Sequence, residues 1–448
     1  MSGGWASPVL ITQTTLVDGT GAPPISDAAI LIRDGRIVAA GPAAAVRAHP
    51  EAEQAEVVDA SGTWTIPGLI DAHIHAALTG FESMSVFLAC GVTTVRDVIG
   101  PLEVMTSIRD RLATSDAPGP RFVFCGPLID GDPASFPNNL LPIIQATPDA
   151  AAAASLADEC INQGAGAVKL YFRLPRASLQ AAIARVAGRV PVTGHRGLTR
   201  ASEAVVDGIN SFEHVVVTIY NDVVREEDRF DALRDSMADP NFWIRLHEGW
   251  ARADLGGQGA QSLLEAMHRG DVTLDPTLDI TALVGGGTRG DDPNLRHVRP
   301  ELRQVWEMRR QAAGSRPEAD PEVGRAGHAA CGDFVRRYHA IGGRVIAGTD
   351  VGAVPYLVPG FSLHAEMRML VDAGLNAAAA LRAATLDAAK ALRIDRDTGS
   401  IEPGKAADLV ILERNPMEDI THGCAIREVL REGVRYRPSG LLGKKEMP

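Results

Sequence analysis

Two textures divide the chain. In the first ~65 residues, AAILIRDGRIVAAG (Ala28–Gly41) runs two apolar segments into Asp34-Gly35. A two-residue hairpin favours that pair because both turn positions need φ > 0. The last ~45 residues repeat the theme: ADLVILERNP (Ala407–Pro416) reads as a strand and a stop, and IREVLREGVRY (Ile426–Tyr436) turns back at Glu432-Gly433. Between them, short apolar runs that end in polar residues alternate with Ala/Arg/Glu-rich stretches of helical period. The runs are IPGLIDAH, GVTTVRD, RFVFCG, AVKLYF, VPVTGH, NSFEH, DVTLDP and GRVIAGTD, eight in all. Strands alternating with helices imply parallel βαβ units, and eight of them predict a closed α/β barrel, (β/α)8. The expected organisation is a barrel domain over 66–398 and a small β-sandwich side domain built from both termini, 1–65 and 399–448.

Composition narrows the partners. The chain has 448 residues, 45% hydrophobic and 22% charged, with Lys+Arg 44 against Asp+Glu 56 and a net charge of −12. No basic surplus is available to track a phosphate backbone, so no nucleic acid is expected. No apolar stretch approaches the ~20 residues that a bilayer requires, so no membrane partner is expected either. MSGGWASPVL lacks a basic region followed by a long apolar run, so no signal peptide is expected. Cys90, Cys125, Cys160, Cys331 and Cys424 are scattered, odd in number and never spaced CxxC. That pattern reads as reduced cytoplasmic thiols. GGGTRG (Gly285–Gly290) satisfies GxGxxG in letters, but DDPN follows it where a dinucleotide fold needs a helix, so it reads as a loop. Neither a GxSxG elbow nor a GK[ST] phosphate cradle occurs.

Chemistry gathers at the strand ends. His73 and His75 close the first predicted strand, Lys169 lies in the fourth, His195 ends the fifth, His214 the sixth and Asp350 the eighth. Side chains two apart on a strand point the same way, so His73-x-His75 presents two imidazoles to one side. Catalytic groups of a barrel collect at the C-terminal ends of its strands, where these six residues fall. Nitrogen and carboxylate donors of this mix suit zinc, with iron, manganese and cobalt as alternatives. A single strand-end histidine is ordinarily a satisfied core residue; six metal-capable groups on five strands are not accounted for that way. Lys169, set among apolar residues, is an amine whose charged form burial disfavours. As a neutral amine it can add CO₂ and give a carbamate (N6-carboxylysine) that bridges two metals. A lysine paired with a carboxylate and a Schiff-base lysine are the other readings. Tyr171 shares the inward face of Lys169 and reads as a substrate donor or as barrel packing. Arg196 and Tyr220 are weaker substrate-binding candidates. Trp243 and Trp250 in the same long loop offer aromatic surface for substrate or packing between protomers. Asp97, His364 and Glu366 read as supporting residues.

The sequence is similar to the amidohydrolase superfamily, in the branch around imidazolonepropionases and prolidase-like metal-dependent hydrolases. The similarity runs along nearly the whole chain, on PGLIDAHIH (Pro67–His75), GVTTVRD (Gly91–Asp97), VKLY (Val168–Tyr171), TGHRG (Thr193–Gly197), FEH (Phe212–His214), AGTD (Ala347–Asp350) and the tail from AATLDAAK to DLVIL. The resemblance implies two divalent metals, most simply Zn²⁺. His73, His75 and Asp350 would hold the more buried one and His195 and His214 the other, with carboxylated Lys169 and a hydroxide bridging them. It further implies a metal-bound hydroxide that hydrolyses an amide C–N bond, Asp350 carrying the proton and His214 sharing the catalytic centre. The expected substrate is a small-molecule amide or peptide: a dipeptide or an N-acyl or aryl-acyl amino acid. Alternatives are a cyclic amidohydrolase or deaminase of the imidazolonepropionase type, an esterase or lactonase acting on a xenobiotic, and a metal-free scaffold. Relatives of this kind imply a homo-oligomer.

Overall fold

The computed structural model describes residues 7–114, 117–135, 143–195, 197–230, 241–284, 290–312 and 320–442. The N-terminal strands are β1 (Val9–Leu16), β2 (Ile25–Arg33), β3 (Arg36–Pro42), β4 (Glu56–Asp59) and β5 (Trp64–Pro67). Asp34 and Gly35 sit at φ +50 and +73 between β2 and β3, the left-handed pair their sequence calls for. The barrel strands follow: β6 (Leu69–Ile74), β7 (Val92–Asp97), β8 (Arg121–Phe124), β9 (Leu128–Gly131), β10 (Ile144–Thr147), β11 (Val168–Leu170), β12 (Val192–Gly194), β13 (Ser211–Glu213) and β14 (Thr273–Asp275). The chain returns through β15 (Leu409–Leu412), β16 (Ile426–Arg431) and β17 (Val434–Tyr436), with Glu432 and Gly433 again at positive φ.

Both ends of the chain build one eight-stranded sheet, ordered β17-β16-β15-β5-β1-β2-β3, with β4 on β1. The expected sandwich is thus a continuous hydrogen-bonded sheet. One face closes on a core of Ile11, Ile30, Ile32, Ile37, Leu409, Ile411 and Leu430. Val410, Leu412 and Val429 alternate to the other face and join the barrel core.

The barrel strands are parallel throughout, β6-β7-β8 in one sheet and β10-β9-β11-β12-β13-β14 in the other, with β10 an edge strand beside β9. The third predicted strand, RFVFCG, continues past β8 into β9. Gly166 N–H donates to Phe124 O (3.0 Å) and Tyr171 N–H to Ile129 O (2.8 Å), stitching both halves to the β11 segment. The eighth, GRVIAGTD, is irregular but closes the ring. Ile346 N–H donates to Leu274 O (2.9 Å), while Ala72 N–H reaches back to Ala347 O (3.1 Å) and Asp350 N–H to His73 O (2.8 Å). β6 and β7 are buried at every position, as strands covered on both faces must be. The covering helices follow their apolar period: Ala150–Asn162 starts on an Asp149 carboxylate that accepts the Ala152 N–H (2.8 Å) and buries Ala153, Leu156, Ala157 and Cys160. No described helix is long and apolar enough to cross a membrane.

Candidate metal centre

The strand period places the first donors. Asp71, His73 and His75 alternate along β6 and its end, so all three face the barrel interior, at 0%, 0% and 5% exposure. Two other donors depend on bends. His214 (φ +58) and Asp350 (φ +60) are left-handed, a conformation costly for a side chain with a Cβ and concentrated at functional sites. The turn at His214 lets consecutive residues, Glu213 and His214, both serve the interior.

Four imidazoles form an arc. Ring centroids are 5.5 Å apart for His75–His73, 4.6 Å for His73–His214 and 4.7 Å for His214–His195. Asp350 Oδ1 faces the Nε2 atoms of His73 (3.1 Å) and of His75 in a shorter contact. Partners fix two tautomers. Glu213 Oε2 accepts from His73 Nδ1 (2.5 Å), so the lone pair of His73 lies on Nε2. The Thr277 hydroxyl donates to Pro276 O (2.8 Å) and therefore accepts from His214 Nδ1 (2.9 Å), which leaves the lone pair of His214 on Nε2. His73 Nε2, His75 Nδ1 and His195 Nε2 are buried without a well-formed hydrogen bond. Single donor atoms of His73, His75 and Asp350 lie within 4.8 Å of one another. Buried lone pairs without donors beside a buried carboxylate are what a divalent cation satisfies, so these residues fit a metal.

Electrostatics agrees at His75, His195 and His214, all lowered by burial. At His73 burial and Lys169 are overridden by Glu213, Asp275 and Asp350, which push it up to about 10, a proton that a cation at Nε2 would displace. Burial alone would raise the Asp350 carboxyl, but His75 and His73 hold it well below the usual range. Burial pulls His214 down to about 3 and His195 well below its ordinary value, so both rings are neutral at pH 7. Lys169 is 2% exposed, and burial together with Arg96 lowers its ammonium pKa against the pull of Glu213 and Asp350. That is the direction needed for a reactive neutral amine. Beneath the imidazoles, Arg96 (1% exposed) donates to Glu213 Oε1 (2.8 Å) and, through Nε, to Ala72 O (2.5 Å). The Thr193 hydroxyl donates to the same Glu213 oxygen. Asp275 lies 3.6 Å from Arg96 and 3.7 Å from His73 Nδ1. Gly348 leaves room for it: a Cβ there would stand 2.4 Å from Asp275 Oδ2 and 2.6 Å from His73 Cβ.

The fold therefore brings His73, His75, Lys169, His195, His214 and Asp350 into one buried cluster. Tyr171 joins it, its ring edge-on to His195 at 5.2 Å. Tyr220 does not. It is 1% exposed and its hydroxyl lies 3.0 Å from Asp228 O and 3.3 Å from Arg245 O, so its polar end is spent on backbone and it packs between helices. Trp250 likewise is fully buried and donates to Val216 O (2.8 Å). Arg196 and residues 285–289 lie outside the described residues. Asp97 accepts the N–H groups of Ala76 and Ile99, bracing the turn beyond His75. Glu366 accepts those of Leu278 and Asp279 (both 2.8 Å), starting the helix Leu278–Val284. Sequence reasoning missed Glu213, Asp275, Asp71 and Arg96. Asp275 ends the seventh strand as Asp350 ends the eighth, and Asp71 shares the parity of His73, so both signals stood in the sequence.

Comparison with known proteins follows the same line. A profile of the Amidohydrolase family matches residues 330–435. The imidazolonepropionase of Acidiphilium cryptum (strain JF-5) is 41% identical over 70 residues, 16% of this chain and 17% of that enzyme. The chain thus aligns with about a sixth of that relative's length. Among solved structures, the bottromycin amidohydrolase AH superposes with TM-score 0.74 at 22% identity, over 97% of this chain and 88% of that one. A Xaa-Pro dipeptidase with methionine bound in its active site gives TM-score 0.68 at 19% identity, over 96% and 100%. These likenesses are of fold: a barrel of the (β/α)8 kind with a β-rich domain.

Proposed function

We propose that the chain, which is similar to the Amidohydrolase family over residues 330–435 and to amidohydrolases in fold, is a metal-dependent hydrolase of an amide C–N bond, acting on a dipeptide or an N-acyl or aryl-acyl amino acid. The observation that carries the reading is the arc of buried imidazoles with donorless nitrogens around Asp350. In this reading His73, His75 and Asp350 would hold one cation, His195 and His214 would hold a second, and carboxylated Lys169 would supply a further oxygen donor. Lys169 Nζ bonds the carbon of CO₂ and loses a proton, becoming an anionic oxygen donor. Bound divalent metal supplies acidified water at neutral pH and polarises the scissile carbonyl. Asp350, held ionised, takes the proton released from the attacking water and passes it to the leaving nitrogen. Glu213 keeps His73 in its Nδ1-protonated tautomer, and Thr277 does the same for His214. Tyr171, whose ring stands edge-on to His195, would be the substrate-binding residue in this reading. The likeness to a Xaa-Pro dipeptidase and the buried amine of Lys169 favour the linear amide. The imidazolonepropionase match favours a second reading, hydrolysis of a cyclic amide or amidine on a single metal.

Elemental analysis of protein purified without chelators or a metal-binding tag separates the two. About two metals per chain, with amino acid released from Xaa-Pro dipeptides or N-acyl amino acids, supports the first. One metal per chain and turnover of cyclic substrates alone supports the second. No metal after reconstitution with zinc overturns both.

A further inference from the structure

Cys424 is the exposed cysteine of the five; Cys90, Cys125, Cys160 and Cys331 are buried. It closes a short turn, Ile420–Cys424, whose start is fixed by the Asp419 carboxylate accepting the Thr421 N–H (2.9 Å). Facing it from the helix Phe361–Asp372 is His364, 7% exposed. His364 Nε2 lies 2.9 Å from the Cys90 carbonyl oxygen. A carbonyl only accepts, so Nε2 carries the proton and Nδ1 keeps the lone pair. Nδ1 is buried and makes no well-formed hydrogen bond, and it lies against the backbone that carries the thiol: a Cβ on Gly423 would stand 3.4 Å from it. A buried imidazole with one nitrogen tied to backbone and the other turned toward an accessible thiol is the arrangement that activates cysteine.

The electrostatics of the pair is mutual. Burial raises the Cys424 thiol, but His364 overrides it and lowers the thiol below its ordinary value. Burial lowers His364, and Cys424 overrides that in turn. The other titratable neighbours are Cys90, held neutral by burial, and His422 on the same turn, whose Nδ1 is bound to Asn415 O (2.8 Å) and whose Nε2 lies 4.0 Å from Asp419. None of these groups belongs to the proposed metal centre.

We propose that Cys424 and His364 form a thiolate–imidazolium pair and that Cys424 is a modification site for hydroperoxides. The thiolate sulfur attacks one peroxide oxygen, the S–O bond forms and the O–O bond breaks. The departing hydroxide, or alkoxide from an organic hydroperoxide, takes the Nδ1 proton of His364 and leaves as water or alcohol. Sulfur is oxidised by two electrons to a sulfenic acid and the peroxide is reduced by two. The test is alkylation of the full-length protein by iodoacetamide at pH 7, resolved by peptide mass spectrometry, folded against urea-unfolded. Each unit of thiol pKa below ~8.5 raises the thiolate fraction at pH 7 about eightfold and lowers its intrinsic reactivity about threefold, a net gain of about threefold. Cys424 in the folded protein is therefore expected to react faster than in the unfolded chain, and His364→Gln to abolish that advantage. A folded rate equal to or below the unfolded rate overturns the pair, whether or not the variant folds. Brief hydrogen peroxide treatment with dimedone present should then label Cys424; labelling elsewhere or nowhere overturns the hydroperoxide assignment.

Discussion

Glu213→Gln tests whether the polar plug beneath the imidazoles holds the barrel together. Glu213 is fully buried and accepts from Arg96 (2.8 Å), from His73 Nδ1 (2.5 Å) and from the Thr193 hydroxyl. Glutamine fills the same volume but removes the charge opposite a guanidinium that is 1% exposed. Removing one partner of a buried ion pair destabilises by ~3–5 kcal/mol, because the remaining charge is stranded out of water. Asp275, 3.6 Å from Arg96, remains as a second counter-charge, which places the expectation at the low end, ~3 kcal/mol. With an unfolding entropy of ~2.1 cal/mol/K per residue, a chain of 448 residues unfolding as one unit loses about 3 °C in Tm. The assay is urea and thermal unfolding of metal-free protein by circular dichroism, for Glu213→Gln, Arg96→Met and the double variant. The double variant should be less destabilised than the sum of the singles, with a coupling above ~1 kcal/mol. A Glu213→Gln protein within ~0.5 kcal/mol of the parent, or a coupling near zero, would refute the argument.

Three further outcomes are expected. Asp350→Asn should lower kcat by about a thousandfold or more with far-UV circular dichroism unchanged, because the amide cannot take the proton; normal turnover would remove Asp350 as proton carrier. Thr277→Val deletes the acceptor that fixes the His214 tautomer and should weaken metal binding about 10–100-fold in competition with a chromophoric chelator, an unchanged affinity arguing against that role. Gly348→Ala forces a methyl against Asp275 and His73 and should cost about 1–3 kcal/mol or more in the urea midpoint; an unshifted midpoint would show that the barrel gives way there at no cost.

Much of this architecture is legible in the residues. The hairpins at Asp34-Gly35 and Glu432-Gly433 follow from the left-handed φ that each pair tolerates, and seven of the eight apolar runs hold a barrel strand while the eighth, GRVIAGTD, closes the ring without one. His73 and His75 follow from strand parity alone. Glu213 was hidden because parity sends neighbours of His214 to the opposite face, and only the left-handed turn at His214 cancels that rule. Asp275 was overlooked although its position at a strand end matched that of Asp350. Tyr220 and Trp250 misled for a different reason. An aromatic count in a loop does not say where a hydroxyl or an indole N–H finds its acceptor, and here both find backbone. The irregular closing segment could be located from GRVIAGTD, but its hydrogen bonds to both neighbours depend on the finished ring.

The sheet shared by the two ends of the chain dictates an order of assembly. β5 ends at Pro67 and its partner β15 begins at Leu409, roughly 340 residues later. At ~5–20 residues per second of synthesis, that edge of β5 waits about 17–70 s for its mate. Meanwhile Ile66 and the Ile30/Ile32 face lack the Val410, Leu409 and Ile411 side chains that complete their cores. An open strand edge of that kind is a template for pairing with another nascent copy. A ribosome-proximal chaperone is therefore expected to raise the yield of native protein, and C-terminal truncation before Leu409 to yield aggregate.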